Sequence, residues 1–252
     1  MRALITGGSS GIGYSMAKYL SSLGYDLILV ARDKAKLQKI QKELSGTEVK
    51  IVVADLSKES KLKELYVLCR NDNIDILINN AGFGLFGDFS SADLGKELEM
   101  IDVNIKAVHI LTKLFLKDMK KRGSGHILNV SSAASFQAGP LMSTYYATKS
   151  YVTKLTLALY EELRREKSNV HVSCLCPGPV VTNFNNVADV EFAMKGLESD
   201  YVAKYAIDKM LKNKLIIVPG IKMKITLFFN RLVSTKLALK VVYNVQKRKE
   251  KK

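Results

Sequence analysis

Short apolar runs alternate with longer segments whose apolar residues recur at helical spacing, and this alternation holds for most of the chain. The runs fall at 2–6, 26–31, 49–54, 74–79, 126–131, 170–176 and 215–218, and they read as short buried strands. Helical patterns fall between them at about 12–23, 33–45, 58–71, 93–121, 144–167 and 199–212. A strand followed by a helix and another strand makes a right-handed crossover, so the pattern predicts a doubly wound parallel sheet of about seven strands with helices on both faces. No linker rich in Pro, Gly or Ser divides the chain, so residues 1–220 are expected to form one α/β domain. Residues 221–252 follow as a basic amphipathic extension of one or two helices.

Charge separates the same two parts. The formal net charge is +15, but residues 203–252 hold 14 Lys or Arg against Asp208 and Glu250, which leaves only +3 for residues 1–202. A basic chain invites a nucleic-acid reading, yet no zinc-finger or RNP-type motif supports one, so no nucleic-acid partner is expected. Three cysteines are too few for a disulfide framework, and Cys174 and Cys176 sit in an apolar run as a buried reduced pair. Met1 leads straight into the first strand-like run, and no apolar run approaches the roughly 20 residues that span a bilayer. These features make a cytoplasmic location the expectation. A peripheral place at the inner membrane surface is the alternative that the tail allows.

Chemistry enters at Thr6-Gly7-Gly8-Ser9-Ser10-Gly11-Ile12-Gly13, between the first strand and the first helix. Glycines let a backbone turn tightly and come close to a ligand, and a helix N-terminus offers unpaired N–H groups to a pyrophosphate. Further along, Tyr145 and Lys149 stand at i and i+4 on a helical pattern and share one face. An ammonium beside a phenol favours the phenolate and is expected to lower its pKa. Tyr146 has Ser150 at the same offset and gains no charge.

Four motifs in order carry a resemblance. They are Thr6-Gly7-x-x-x-Gly11-x-Gly13, Asn79-Asn80-Ala81-Gly82 after the fourth strand, Tyr145-x-x-x-Lys149 with Ser132 thirteen positions ahead, and Pro177-Gly178-Pro179-Val180-Val181-Thr182 after the sixth strand. Together, over about residues 2–220, they resemble the short-chain dehydrogenase/reductase family. The resemblance implies a Rossmann-type fold and hydride transfer between a dinucleotide and a carbonyl or alcohol. It implies Tyr145 as general acid/base, Ser132 as donor to the substrate oxygen, and Lys149 on the nicotinamide ribose. Asn104 would hold a water against the lysine, although Ala107 stands where many members have Gly. The cofactor would also touch Thr6, Gly7, Ser9, Ser10, Gly11, Ile12, Gly13, Asp55, Leu56, Asn80, Ala81, Gly82, Pro177 and Gly178. Thr182 and the Val180 backbone would meet the nicotinamide amide. Ala31 stands where an acidic residue would mark NAD(H), and Arg32 follows it. A guanidinium suits a 2′-phosphate, so NADP(H) is expected over NAD(H). Asp33 is read as the cap of the next helix. The alternatives are a non-catalytic dinucleotide sensor or scaffold on the same fold, or a sugar-nucleotide epimerase, whose relatives generally carry a further substrate domain.

Loops at about 83–92, 133–144 and 183–200 carry Phe83, Leu85, Phe86, Phe136, Leu141, Met142, Phe184, Phe192 and Met194, with Lys195 the exception. They suit a lipophilic substrate, or merely pack the loops. His109, His126 and His171 lack metal-ligand spacing, Asp88, Asp93 and Asp102 form no acid–base pair, and no metal is implied. The family's habit implies a homodimer or homotetramer through the helices at 93–121 and 144–167. The apolar tail at 221–243 is expected to add to a subunit contact, with an anionic membrane as the other possibility. The last residues, 247–252, read as solvated.

Overall fold

The computed structural model describes residues 1–182, 196–230 and 232–247. Phe184, Phe192, Met194 and Lys195 of the expected substrate loops lie outside the described residues, as do residues 248–252.

Seven parallel strands form the main sheet in the order β3-β2-β1-β4-β5-β6-β9. They are β1 (Arg2–Thr6), β2 (Asp26–Ala31), β3 (Val49–Val53), β4 (Ile76–Asn79), β5 (Gly125–Val130), β6 (Val170–Leu175) and β9 (Ile216–Ile217). The order reverses between β1 and β4, which leaves a crevice beyond their carboxyl ends where open α/β sheets take ligands. Side chains along a strand alternate between faces. Ala3 and Ile5 therefore enter one core with Met16, Leu20, Val202 and Ile207. Leu4 enters the other with Leu62, Leu65, Leu111, Phe115 and Leu163. Two buried faces explain why the strands read as continuous apolar runs.

The helices are α1 (Gly11–Ser22), α2 (Lys34–Glu43), α3 (Glu59–Cys69), α4 (Leu94–Ile101), α5 (Val108–Arg122), α6 (Ser143–Arg165), α7 (Ser199–Met210), α8 (Ile221–Asn230) and α9 (Thr235–Lys247). Asp33 does cap α2, accepting from Lys36 N at 3.0 Å, and Asp93 caps α4 in the same way from Lys96 N. The segment read as one helix over 93–121 is three pieces, because a π-helical stretch, Asp102–Ala107, separates α4 from α5. Gly123 ends α5 at φ 78°, a left-handed turn that favours glycine. A small pair, β7 (Val180–Val181) and β8 (Leu197–Glu198), fixes the loop after β6. Cys174 and Cys176 are buried free thiols with Sγ atoms 3.6 Å apart. Among the described residues no helix is long and apolar enough to cross a membrane.

Candidate active site

The turn between β1 and α1 is built by excluding side chains. Gly7 has φ +66°, and Gly11 has φ +53°. A Cβ on Gly13 would lie 2.3 Å from the Gly7 carbonyl oxygen and 2.4 Å from Asn80 Nδ2. Thr6 ties this turn to the loop after β4, because its Oγ1 accepts from Asn80 N at 3.0 Å and Ala81 N at 3.1 Å. Asn80 Nδ2 donates in return to the carbonyls of Thr6 and Gly7 at 3.0 and 3.1 Å. Ser10 precedes α1 in extended conformation and makes no side-chain cap, and no acidic residue enters the first turn. A Cβ on Gly11 would meet Thr182 at about 3.1 Å, so the loop after β6 closes beside the turn. Pro177 O accepts from Ala133 N at 2.8 Å and joins that loop to the strand end of β5.

Tyr145, Lys149 and Ser132 converge as expected. Ser131 and Ser132 point opposite ways at the end of β5. Ser131 Oγ donates to Lys149 O at 2.8 Å and is buried. Ser132 Oγ accepts from Ala134 N at 3.1 Å, which leaves its O–H to donate, and it bonds the Tyr145 oxygen. Lys149, only 5% exposed, donates from Nζ to Val130 O at 3.0 Å and lies 5.9 Å from the Tyr145 ring centroid. The expectation that the ammonium lowers the phenol's pKa is not met in the protein alone, because burial dominates both groups. It raises Tyr145 to about 12, against a lowering by Ser132. It lowers Lys149 to about 8, against smaller opposing contributions from Cys174 and Cys176.

Asn104 is fully buried in the π-helical stretch. Its Nδ2 donates to Phe83 O at 2.9 Å and Thr148 Oγ1 at 3.1 Å, and its Oδ1 accepts from Phe83 N at 3.1 Å. Its side chain therefore pins the start of the 83–92 loop. It still faces the lysine: a Cβ on Gly82 would stand 2.8 Å from Asn104 Oδ1 and 3.1 Å from Lys149 Nζ. Phe83 and Thr148 are hydrogen-bond partners of Asn104 that spacing alone does not reveal.

Phe83, Leu85 and Phe86 pack with Met142, Tyr145, Tyr146, Met100 and Ala134 around this centre. Tyr146 turns to the other side of α6, where Gln246 Nε2 of α9 donates to its hydroxyl. A cavity of about 750 Å³ lies on that outer side, lined by Phe136, Gly139, Tyr146, Ser150, Lys154 and Leu239, away from Ser132 and Lys149.

At the adenosine end, Asp55 accepts from Ser57 N at 3.1 Å and Ser57 Oγ at 2.8 Å, and Leu56 is buried. Burial raises the Asp55 carboxyl, but the Ser57 bonds and the Arg32 charge outweigh it and hold the net pKa low. Arg32 is 68% exposed at its side chain and pairs with Glu99 Oε1 at 3.0 Å. Sequence spacing did not mark Glu99. The histidines serve structure, with His109 Nδ1 on Tyr151 OH at 2.7 Å and His126 against His171 at 5.4 Å between centroids. Among the described residues no three His, Cys, Asp or Glu side chains group as a metal would need.

Residues 1–191 match the family model described as short chain dehydrogenase. An uncharacterized oxidoreductase of Staphylococcus aureus is 35% identical over 182 residues, spanning 71% of this chain and 78% of its own. A short-chain dehydrogenase from Sphingobium yanoikuyae, solved in complex with NADPH, superposes with a TM-score of 0.82 at 31% identity and covers 87% of this chain and 88% of its own. A short chain dehydrogenase/reductase from Burkholderia phymatum, solved with NAD, superposes at 0.84 with 25% identity and 92% of both chains covered. With the glycine turn, the Asn80 loop and the Ser132–Tyr145–Lys149 centre in one crevice, the chain belongs to the short-chain dehydrogenase/reductase family of oxidoreductases.

Proposed function

We propose that the protein reduces a lipophilic ketone or aldehyde with NADPH, and that Tyr145 gives the proton. The observation that carries this reading is the state of Tyr145. Its hydroxyl is buried and bonded to Ser132 beside Lys149, and burial pushes its pKa up to about 12. A neutral phenol is the form that can protonate a developing alkoxide. Ser132, with its oxygen already engaged by Ala134 N, offers its O–H to the same oxygen. Lys149 keeps donors to spare beyond Val130 O and faces Asn104 across Gly82, a route by which a proton can be returned to Tyr145.

The residues fit a dinucleotide: the glycines let the turn close tightly on the 80–82 loop with no side chains of their own, at the uncapped N-terminus of α1, whose N–H groups suit a pyrophosphate. When bound, a reduced nicotinamide supplies the hydride. Thr6, Gly7, Ser9, Ser10, Gly11, Ile12 and Gly13 would hold its pyrophosphate side, and Asp55 and Leu56 the adenine. Asn80, Ala81 and Gly82, with Pro177, Gly178, Val180 and Thr182, would flank the nicotinamide half, and Lys149 the ribose. Exposed Arg32 supports NADP(H) over NAD(H). The apolar cluster of Phe83, Leu85, Phe86 and Met142 beside Tyr145 supports a lipophilic substrate. Association into a dimer or tetramer is proposed across α5 and α6, where Leu116, Leu155 and Leu159 line a groove. The test is a panel of ketones and aldehydes graded in size, with loss of NADPH absorbance as the readout. Turnover that rises with apolar bulk supports the reading, and no turnover on any carbonyl discards it.

A further inference from the structure

We propose that the outer faces of α8 and α9 dock on an anionic lipid bilayer and bring the mouth of the active site to it. Each helix holds the body by one row of side chains. In α8 that row is Met223 and Leu227, with Met223 Cε 2.5 Å from where a Gly178 Cβ would sit, and Lys224 beside them donates from Nζ to Tyr205 OH at 3.0 Å. In α9 it is Leu239, Val242 and Gln246, with Gln246 only 1% exposed on Tyr146. The opposite rows are large and apolar and face outward. Ile221, Ile225 and Phe228 follow one another at helical spacing in α8, with Phe229 beside Phe228 and Leu232 past the end of the helix, and Leu237, Val241 and Val245 stand four apart in α9. All eight are 47–73% exposed.

Charge decides the occupant. Residues 209–249 contain eleven Lys or Arg and no Asp or Glu. Lys236 and Lys240 lie one position before Leu237 and Val241, so cations border the apolar row of α9. A two-fold contact between copies sets a surface against itself and would bring these cations together with no carboxylate of the segment to answer them, unlike α5 and α6, which carry Asp118, Glu161 and Glu162. The rest of the chain has no excess of negative charge to meet them. A bilayer offers both halves of the match, acyl chains for the apolar rows and anionic headgroups for the lysines.

The docked surface lies by the chemistry. Helix α8 packs against the segment Ala133–Phe136 that follows Ser132, and over the Gly178 loop. A substrate dissolved in the bilayer would then reach the apolar cluster beside Tyr145 without crossing water. That consequence rests on the lipophilic reading above, whereas the docking does not, and vesicle binding is measured without turnover.

The experiment is flotation of the full chain with vesicles of phosphatidylcholine alone, and with vesicles of equimolar phosphatidylcholine and phosphatidylglycerol. Binding is expected only to the anionic vesicles and should weaken as salt rises. Phe228→Ser with Phe229→Ser should weaken it at least tenfold, and Lys236→Gln and Lys240→Gln roughly fivefold each, while NADPH binding stays unchanged as the check on folding. No binding to anionic vesicles at low salt, or equal binding to both kinds, overturns the proposal. It is also overturned if the phenylalanine variant lowers the mass in solution and leaves vesicle binding intact, which would assign the face to a second copy.

Discussion

The glycine turn and helix α6 meet at residues 80–82, yet they are made in different ways. A Cβ on Gly7 would strike Ala81 at 2.9 Å, and one on Gly82 would crowd Lys149 and Asn104. On the turn side, backbone and small side chains such as Thr6 satisfy one another, and the working requirement is close backbone approach with no room for a Cβ. On the helix side, Tyr145 and Lys149 are long, buried and shifted from their ordinary pKa values to about 12 and about 8. One side tolerates no added carbon. The other tolerates no lost heteroatom. Binding by shape can coexist with high local stability, whereas a buried amine is held charged at a cost to the fold.

The largest expected effect tests the helix side. Tyr145→Phe keeps the ring and removes the proton donor, so turnover should fall by about 10²- to 10⁴-fold while NADPH affinity holds. Turnover close to wild type would end the assignment of Tyr145 and erase the contrast. Lys149→Met sharpens it through stability. The folded-state pKa of about 8 lies below the ordinary lysine value of 10.5. Below pH 8 both states hold the proton and folding must bury the charge. Between pH 8 and 10.5 the folded state has released it while the unfolded state has not, so wild-type stability rises with pH across that window. The charge costs on the order of 3 kcal/mol at neutral pH, and losing the bond to Val130 O gives back about 1–2 kcal/mol. The methionine variant should thus show a higher urea midpoint than wild type at pH 7, lose that advantage by pH 10, and have little turnover. Equal destabilisation at both pH values would mean that the amine is not strained by burial.

Gly13→Ala tests the turn side. The new Cβ meets a carbonyl oxygen at 2.3 Å and the Asn80 amide at 2.4 Å, and a backbone oxygen cannot swing away. Overpacking of this kind costs about 1–3 kcal/mol, and the shifted turn should bind dinucleotide more weakly. Gly46 has nothing within 4 Å of its Cβ position and serves as the control, with Gly46→Ala expected to leave both stability and affinity intact. If the two alanine variants behave alike, close approach is not what the turn glycines provide.

The same contrast explains what the sequence made legible. Strands buried on two faces leave unbroken apolar runs, so all seven were readable, with ends off by a residue or two, as at β4, which begins at Ile76 and not at 74. The glycine turn and the Tyr145–Lys149 pair are local patterns, and they fall where spacing put them. The π-helical stretch was hidden because Asp102–Ala107 contains no Gly or Pro to break a helical pattern. Its effect is to seat Asn104, fully buried, against Phe83 and Thr148. Tyr146 was correctly denied a charge partner, but its actual partner, Gln246, is 100 positions away and no spacing rule reaches it. The pKa of Tyr145 departs from the sequence expectation for a related reason. Spacing shows that Lys149 is near, and only the fold shows that burial raises the phenol and that Ser132 is what opposes it.

The smallest effect concerns the adenosine end, where shape gives way to a single charge. Arg32 should bind the 2′-phosphate of NADPH, but it is exposed, and Glu99 holds its guanidinium at 3.0 Å. A charge-assisted contact is worth about 1.5–3 kcal/mol, and exposure places this one at the low end, so Arg32→Ala should narrow the preference for NADPH over NADH by roughly tenfold. Glu99 competes for the same donors. An exposed ion pair is worth at most about 1 kcal/mol, so freeing Arg32 by Glu99→Gln should widen that preference by no more than roughly fivefold. Paired dissociation constants for the two dinucleotides measure both variants. The two shifts must have opposite signs, since one removes the phosphate's partner and the other removes that partner's rival. If both variants narrow the preference, Glu99 is positioning Arg32 and not competing for it. If neither moves it, the dinucleotide is chosen by the shape of the crevice, and the adenosine end belongs with the glycine turn after all.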